Sequence, residues 1–201
     1  MISHTDRRTA ALRPDLLGTR FEFNTPWVVV TGAPSSGKTT VLERLRQLGL
    51  AYNSEIARVF IEQELSKGRN LQEIRADEGQ FQLGLIKAKL SLERETPQDK
   101  FALFDRAMPD SVTYYRVAGL DPNEALPYCF HFHYNTVFLF DRLPLQLDHA
   151  RTEDDKTAEF LDVWLERDYR ALGYEVVRVP AMTIEERTHL ILQNLQARGL
   201  L

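Results

Sequence analysis

Cysteine is almost missing from this 201-residue chain. Cys129 is the only one, so no internal disulfide and no cysteine-built zinc site can form. Such a chain suits a reducing compartment, and a cytoplasmic location is the expectation. Long apolar runs are missing too: none approaches the ~20 residues that a membrane span needs. The first 25 residues carry Arg7, Arg8, Arg13 and Arg20 without the apolar core of about 7–15 residues that a signal peptide requires. An excess of positive charge is also lacking. The net charge of −4 speaks against a broad nucleic-acid-binding surface and leaves room only for a local basic cleft. There are no repeats, low-complexity tracts or linkers. Residues 26–201 therefore read as one domain, and residues 1–25 as a partly flexible leader that packs Phe21 and Phe23 on it. With 43% hydrophobic residues, that domain can bury a substantial core.

What is present is concentrated between Trp27 and Thr40. Val28 to Thr31 is a short β-branched run without alternation, the pattern of a strand buried on both faces. It leads into Gly32-Ala33-Pro34-Ser35-Ser36-Gly37-Lys38-Thr39, which satisfies G-x-x-x-x-G-K-[ST] at every defined position, and Thr40 follows. Val41, Leu42, Leu45 and Leu48 then recur at helical spacing. Gly32 and Gly37 permit backbone angles and close approach that a side chain would block. The loop turns its N–H groups inward, and the helix N-terminus adds partial positive charge to the same anion site. Lys38 is placed for the β- and γ-phosphates, and the Thr39 hydroxyl for Mg²⁺. ATP, or GTP, with Mg²⁺ is the expected cofactor set.

Further along, Leu50-Ala51-Tyr52 reads as a second strand, with Ser54 capping a helix from Glu55 towards Ser66. One long helix is expected from Leu71 to Glu93. Phe101 to Phe104 is a third strand closed by Asp105, and Pro109 to Ala118 is helical. Asp121-Pro122 opens a helix reaching about His133. Val137 to Phe140 is a fourth strand closed by Asp141. A helix to Leu172, a strand from Tyr174 to Val179 and a helix from Thr183 to Ala197 complete the chain. Apolar strands alternating with helices predict an α/β fold with a five-stranded parallel sheet covered on both faces.

Ligands of open parallel sheets gather at the carboxyl ends of the strands. Asp105 and Asp141 are therefore both candidate Mg²⁺ ligands, or mere turn caps. Asp105 is favoured, because Arg106 puts a cation beside it where phosphates and an acceptor would meet. Glu55, with Arg58 one turn on, is placed to orient an acceptor hydroxyl as general base, or else simply complements a helix dipole. The polar stretch from Asp141 to Asp155 reads as a lid, with Arg142 and Arg151 brought over the γ-phosphate, or as a solvated loop. His131 and His133 resemble a metal pair but lack a third ligand, and Cys129 reads as a packed small residue.

Four segments in this order resemble one family. They are the Gly32 to Thr40 loop, Ser54-Glu55-Ile56-Ala57-Arg58, Phe104-Asp105-Arg106-Ala107-Met108-Pro109-Asp110-Ser111, and Arg151-Thr152-Glu153. The set is similar to the NadR-like P-loop ATPase/kinase group, an AAA-type ATPase domain related to ribosylnicotinamide kinase and to nucleoside and nucleotide kinases. That resemblance implies a three-layer α/β/α P-loop NTPase fold with strand order 2-3-1-4-5. It also implies that Glu55 and Arg58 face a phosphoacceptor, that Asp105-Arg106 is the acid–arginine pair after the third strand, and that Arg151 belongs to a lid. The leading expectation is a small-molecule kinase acting on a nucleoside-like acceptor. The alternative is a nucleotide-dependent switch or binding module without such an acceptor. A Ras-like switch is disfavoured because Asp105 is not followed by x-x-Gly. An AAA+ motor is disfavoured because Arg106 stands where a motor carries glutamate.

Overall fold

The computed structural model describes residues 7–143 and 155–201. Its centre is a five-stranded, all-parallel sheet. The sheet strands are β2 (Trp27–Gly32), β3 (Tyr52–Asn53), β4 (Ala102–Asp105), β6 (Thr136–Phe140) and β7 (Val176–Val179). They lie side by side as β3-β4-β2-β6-β7, which is 2-3-1-4-5 when these five are counted in chain order. Val29 pairs with Phe104 on one side and Val137 on the other. β2 therefore sits mid-sheet, and all six of its residues are buried, as its unbroken apolar run requires.

Successive β2 side chains point to opposite faces, which divides the core in two. Val28 and Val30 pack with helices α2 (Lys38–Gln47) and α8 (Ile184–Ala197), through Leu42, Leu45, Ile191 and Leu195. Trp27 and Val29 pack on the other face with α5 (Glu78–Glu95), α6 (Asp110–Val117) and α7 (Asp155–Ala171), through Ile86, Val112 and Leu165. Beyond the sheet edge, α3 (Ile56–Ser66) closes on α5 through Phe60 and Phe81, rings edge-on at 5.9 Å.

The structure departs from the expected pattern in four places. The helix expected over Leu71–Glu93 is two helices, α4 (Leu71–Ile74) and α5. Asn70 forms a capping box with Glu73, and the Asp77 side chain accepts from the Gln80 N–H, so each piece has its own start. The helix expected up to His133 is two 3₁₀ turns, Pro122–Glu124 and Leu126–Phe130, followed by β5 (Phe132–His133). Pro127 has no N–H to continue a helix. β5 pairs in parallel with β1 (Phe23–Asn24) to make a second, two-stranded sheet that the sequence reading did not foresee. Finally, Ser54 is not a cap: Glu55 occupies the N-cap position, and its side chain makes no capping bond because it turns to Arg106.

The described part of the leader has definite partners. α1 (Pro14–Leu17) precedes β1, the Phe21 ring meets Phe130, His133 and Tyr174, and Phe23 stacks on Phe132. Of the lid expected over Asp141 to Asp155, residues 144–154, with Arg151 among them, lie outside the described residues. Among the described residues, no helix is long and apolar enough to cross a membrane.

Candidate active site

The loop between β2 and α2 forms at the mid-sheet strand, where the connections leave in opposite directions, and that is where open α/β sheets bind ligands. Gly32 has φ +147°, and an added Cβ would lie 2.8 Å from the Phe140 carbonyl oxygen, so no side chain fits there. Gly37 has φ +83° and caps α2 with backbone alone, leaving the helix N–H groups for an anion.

Lys38 curls over this loop. Its Nζ donates to the Gly32 and Ala33 carbonyls, both at 2.9 Å, and to Ser36 Oγ at 3.1 Å. All three ammonium donors are thus held by neutral acceptors. Burial, reinforced by the Arg106 charge, pulls Lys38 down to about 7, against the opposing pull of Asp105, Glu55 and Asp110. An arriving phosphate would supply the negative charge that these neutral partners lack.

Arg106 joins the loop to the third sheet strand. Its φ of +64° is unusual for a residue with a side chain. The position is held by its N–H on the Val30 carbonyl at 3.0 Å and its Nη1 on the Gly32 carbonyl at 3.0 Å. Nε meets Glu55 Oε1 at 2.7 Å, and the guanidinium lies over the Tyr114 ring at 5.3 Å. Behind it, fully buried Asp110 accepts from Thr31 Oγ1, from the Ala107 N–H at 2.9 Å and from the Tyr169 hydroxyl at 2.6 Å, and lies 3.6 Å from Arg106 Nη1. Burial works against charge on Arg106, yet Tyr114 and the surrounding acids Glu55, Asp110 and Asp105 outweigh it and raise its pKa.

Asp105 is only 6% exposed, and its Oδ1 is buried without a hydrogen-bond partner. Burial pushes it up to about 6, in spite of the adjacent Arg106. A buried, unpaired carboxylate oxygen beside a phosphate-type loop suits a hard cation.

Lys38, Thr39, Glu55, Arg58, Asp105 and Arg106 line one cavity of about 720 Å³, with Pro34 and Ser35 at the loop side. Across it stand Phe81, Gln82, Leu85 and Tyr114, and the buried Lys89 at its border donates to the Ala107 carbonyl and Ser111 Oγ, both at 2.9 Å. The sequence-selected residues that do not join them are also clear. Ala33 and Ser36 are buried in the loop, and Thr40 is exposed outside the cavity lining. Arg142 is outside the cavity lining, and its guanidinium pairs with Asp155 at 2.7 Å. Asp141 is outside that lining as well, and its carboxylate pairs with Arg178 at 2.5 Å. His131 pairs with Glu22 at 3.0 Å, and His133 stacks on Tyr174.

Sequence reasoning passed over Lys89 and Arg187, and took in Asp110 only as part of the Phe104–Ser111 segment, with no role of its own. Arg187, 2% exposed, donates from Nη1 to the Ser36 carbonyl of the loop at 2.7 Å. The available signal was a charge on a stripe that should be apolar: Arg187 lies three residues after Ile184 and four before Ile191.

A β-strand, a lysine-capped glycine loop and a helix at the switch point of a parallel sheet define a P-loop nucleotide-binding domain. This chain belongs to a family of AAA domains, whose model matches residues 27–187. No curated protein matches it. Among solved structures, it is similar to NadR in complex with NAD and AMP-PNP (TM-score 0.61, 20% identity, covering 87% of this chain and 50% of that one). It is also similar to deoxyadenosine kinase from M. mycoides (0.57, 15%, 85% and 99%) and shikimate kinase from Aquifex aeolicus (0.51, 15%, 87% and 98%). The chain spans half of the NadR chain and nearly all of the other two. The fold is therefore that of P-loop small-molecule kinases, and the AAA-type resemblance seen in the four motifs is borne out.

Proposed function

We propose that this protein is a phosphotransferase that moves the γ-phosphate of ATP onto a hydroxyl of a small, nucleoside-like acceptor. The observation that carries this reading is the Glu55–Arg106 pair, held at 2.7 Å in the same cavity as Lys38 and Asp105. A nucleotide-binding module needs the loop and a metal ligand; it does not need a carboxylate and an arginine facing each other beside a further pocket. The backbone N–H groups of the loop and Lys38 hold the phosphates, Lys38 exchanging the Gly32 and Ala33 carbonyls for phosphate oxygens. Thr39 and Asp105 would hold Mg²⁺, which when bound neutralises phosphate charge. Glu55, oriented by Arg106, takes the proton of the acceptor hydroxyl as that oxygen bonds to the γ-phosphorus and ADP departs. Arg106 stabilises charge on the group in transit. Arg58, exposed at the mouth, meets the acceptor. The apolar and aromatic wall of Phe81, Leu85 and Tyr114 suits a flat ring carried by that acceptor.

The test is phosphotransfer from γ-labelled ATP or GTP with Mg²⁺ to a panel of nucleosides, nicotinamide riboside and mononucleotides. A labelled acceptor is expected with the native chain. Lys38→Ala should lower the rate by about 10³-fold or more, and Glu55→Gln by about 10²-fold, the ordinary worth of a general base. Tight nucleotide binding with label released only as free phosphate would favour the switch reading instead.

A further inference from the structure

The Arg187 guanidinium is buried against neutral groups. Nε donates to the Pro180 carbonyl at 2.7 Å and Nη1 to the Ser36 carbonyl at 2.7 Å. The guanidinium also stands 5.3 Å from the Phe140 ring centre, and Nη2 is buried with no hydrogen-bond partner. Burial works against its charge, and the carboxylate that supports it, Asp141, is already paired with Arg178. A buried cation without a committed anion costs folding stability. An apolar residue on this helix stripe would have packed without that cost, so the cation calls for a role outside the core.

We propose that Arg187 is a positioning residue for the phosphate loop, aiming its N–H groups at the nucleotide phosphates and supplying positive charge behind them. In a planar trans peptide the C=O and the following N–H point in opposite directions, and the described chain has no cis peptide. By holding the Ser36 carbonyl on the α8 side, Arg187 turns the Gly37 N–H the other way. Gly37 is the residue that opens α2 with its backbone bare. The contact is close enough that a Cβ on Gly37 would lie 3.1 Å from Arg187 Nη1. Because the same guanidinium also grips Pro180, just past β7, the loop is fixed to the edge strand on the other side of β2 from Arg106. Arg106 holds the first carbonyl of the loop, Gly32, and Arg187 the fifth, Ser36. The two arginines thus brace the loop at both ends.

This inference rests on the nucleotide-binding reading, and the experiment separates the two. Binding of ATP and of inorganic tripolyphosphate is measured calorimetrically for the native chain, Arg187→Gln, Arg187→Lys and Ile191→Val. Ile191→Val loosens the same helix without touching the loop. Native binding of both ligands is expected, with Arg187→Gln weaker by about 10-fold or more for each and Ile191→Val within about twofold of native. Arg187→Lys keeps the charge but spans one carbonyl where arginine spans two, and should fall between them at about 3-fold or more. Should Arg187→Gln not fold, the lysine variant decides. Native affinity in a folded arginine variant would overturn the inference, and so would an equal loss in Ile191→Val, which would mean the helix matters only as packing. Failure of the native chain to bind either ligand would overturn the nucleotide reading itself.

Discussion

The two faces of the sheet solve different problems. On the α2–α8 face, Val28, Val30, Leu42, Leu45, Phe138, Ile191 and Leu195 close the layer by apolar burial, with the loop's Lys38 and Arg187 as the buried charges. The α5–α7 face buries apolar residues as well, but threads Lys89, Glu93, Asp110, Arg116 and Asp168 through them, all 8% exposed or less. Arg116 and Asp168 pair at 2.9 Å, Thr113 adds a hydroxyl to the same carboxylate, and Arg116 Nη1 reaches the Ala10 carbonyl at 2.6 Å. Asp110 starts the same helix α6 that Arg116 ends, so one helix is tied to Arg106 at one end and to the N-terminal arm at the other. Apolar contacts are forgiving of small shifts, whereas hydrogen-bonded charges in a low-dielectric interior specify position. The face that opens onto the cavity is the one built for position.

Three substitutions would break or sharpen that contrast. The largest effect is expected for Arg116→Leu, which strands a buried Asp168 and releases the arm. It should cost about 3–5 kcal/mol in urea unfolding, and a loss below about 1 kcal/mol would mean that the pair adds little beyond packing. Glu93 comes next. Burial pushes it up to about 7 although the Tyr134 hydroxyl donates to it. An acid raised in the folded state keeps a proton that the unfolded chain has already lost above its ordinary value of 4.5. Stability should therefore decline as pH rises from about 4.5 to 7 and stay lower above that. Glu93→Gln should remove this decline, matching the native chain near pH 4.5 and exceeding it at pH 8 by about 1–3 kcal/mol. Parallel native and variant curves would contradict it. Ile191→Val, on the apolar face, should cost only about 0.5–1.5 kcal/mol and leave the ATP affinity of the folded protein within about twofold of native by calorimetry.

Much of this was legible from residue order. The P-loop is a local device: strand, glycines, lysine and helix lie within fourteen residues, so its pattern survives in the chain itself. Asp105, Glu55 and Arg106, which line one cavity, could be picked from the sequence because they follow strands, and open parallel sheets gather ligands at strand ends. Asp141 obeys the same rule, yet it stays outside the cavity lining and its carboxylate pairs with Arg178, 37 positions later on β7. The break at Arg75–Asp77 was missed because Asp77 competes for a backbone N–H that periodicity alone assigns to the helix ladder.

Composition, periodicity and motif spacing by themselves determined an α/β fold, its five parallel strands and the phosphate loop, because those features depend on neighbours close in the chain. Only the tertiary structure decided which charges were partners. The Glu55–Arg106, Arg116–Asp168 and Arg187–Ser36 contacts join residues 51, 52 and 151 positions apart. Whether a buried charge on a helix stripe is an error, a brace or a reacting group depends on what the fold sets against it, and short-range sequence pattern carries no record of that.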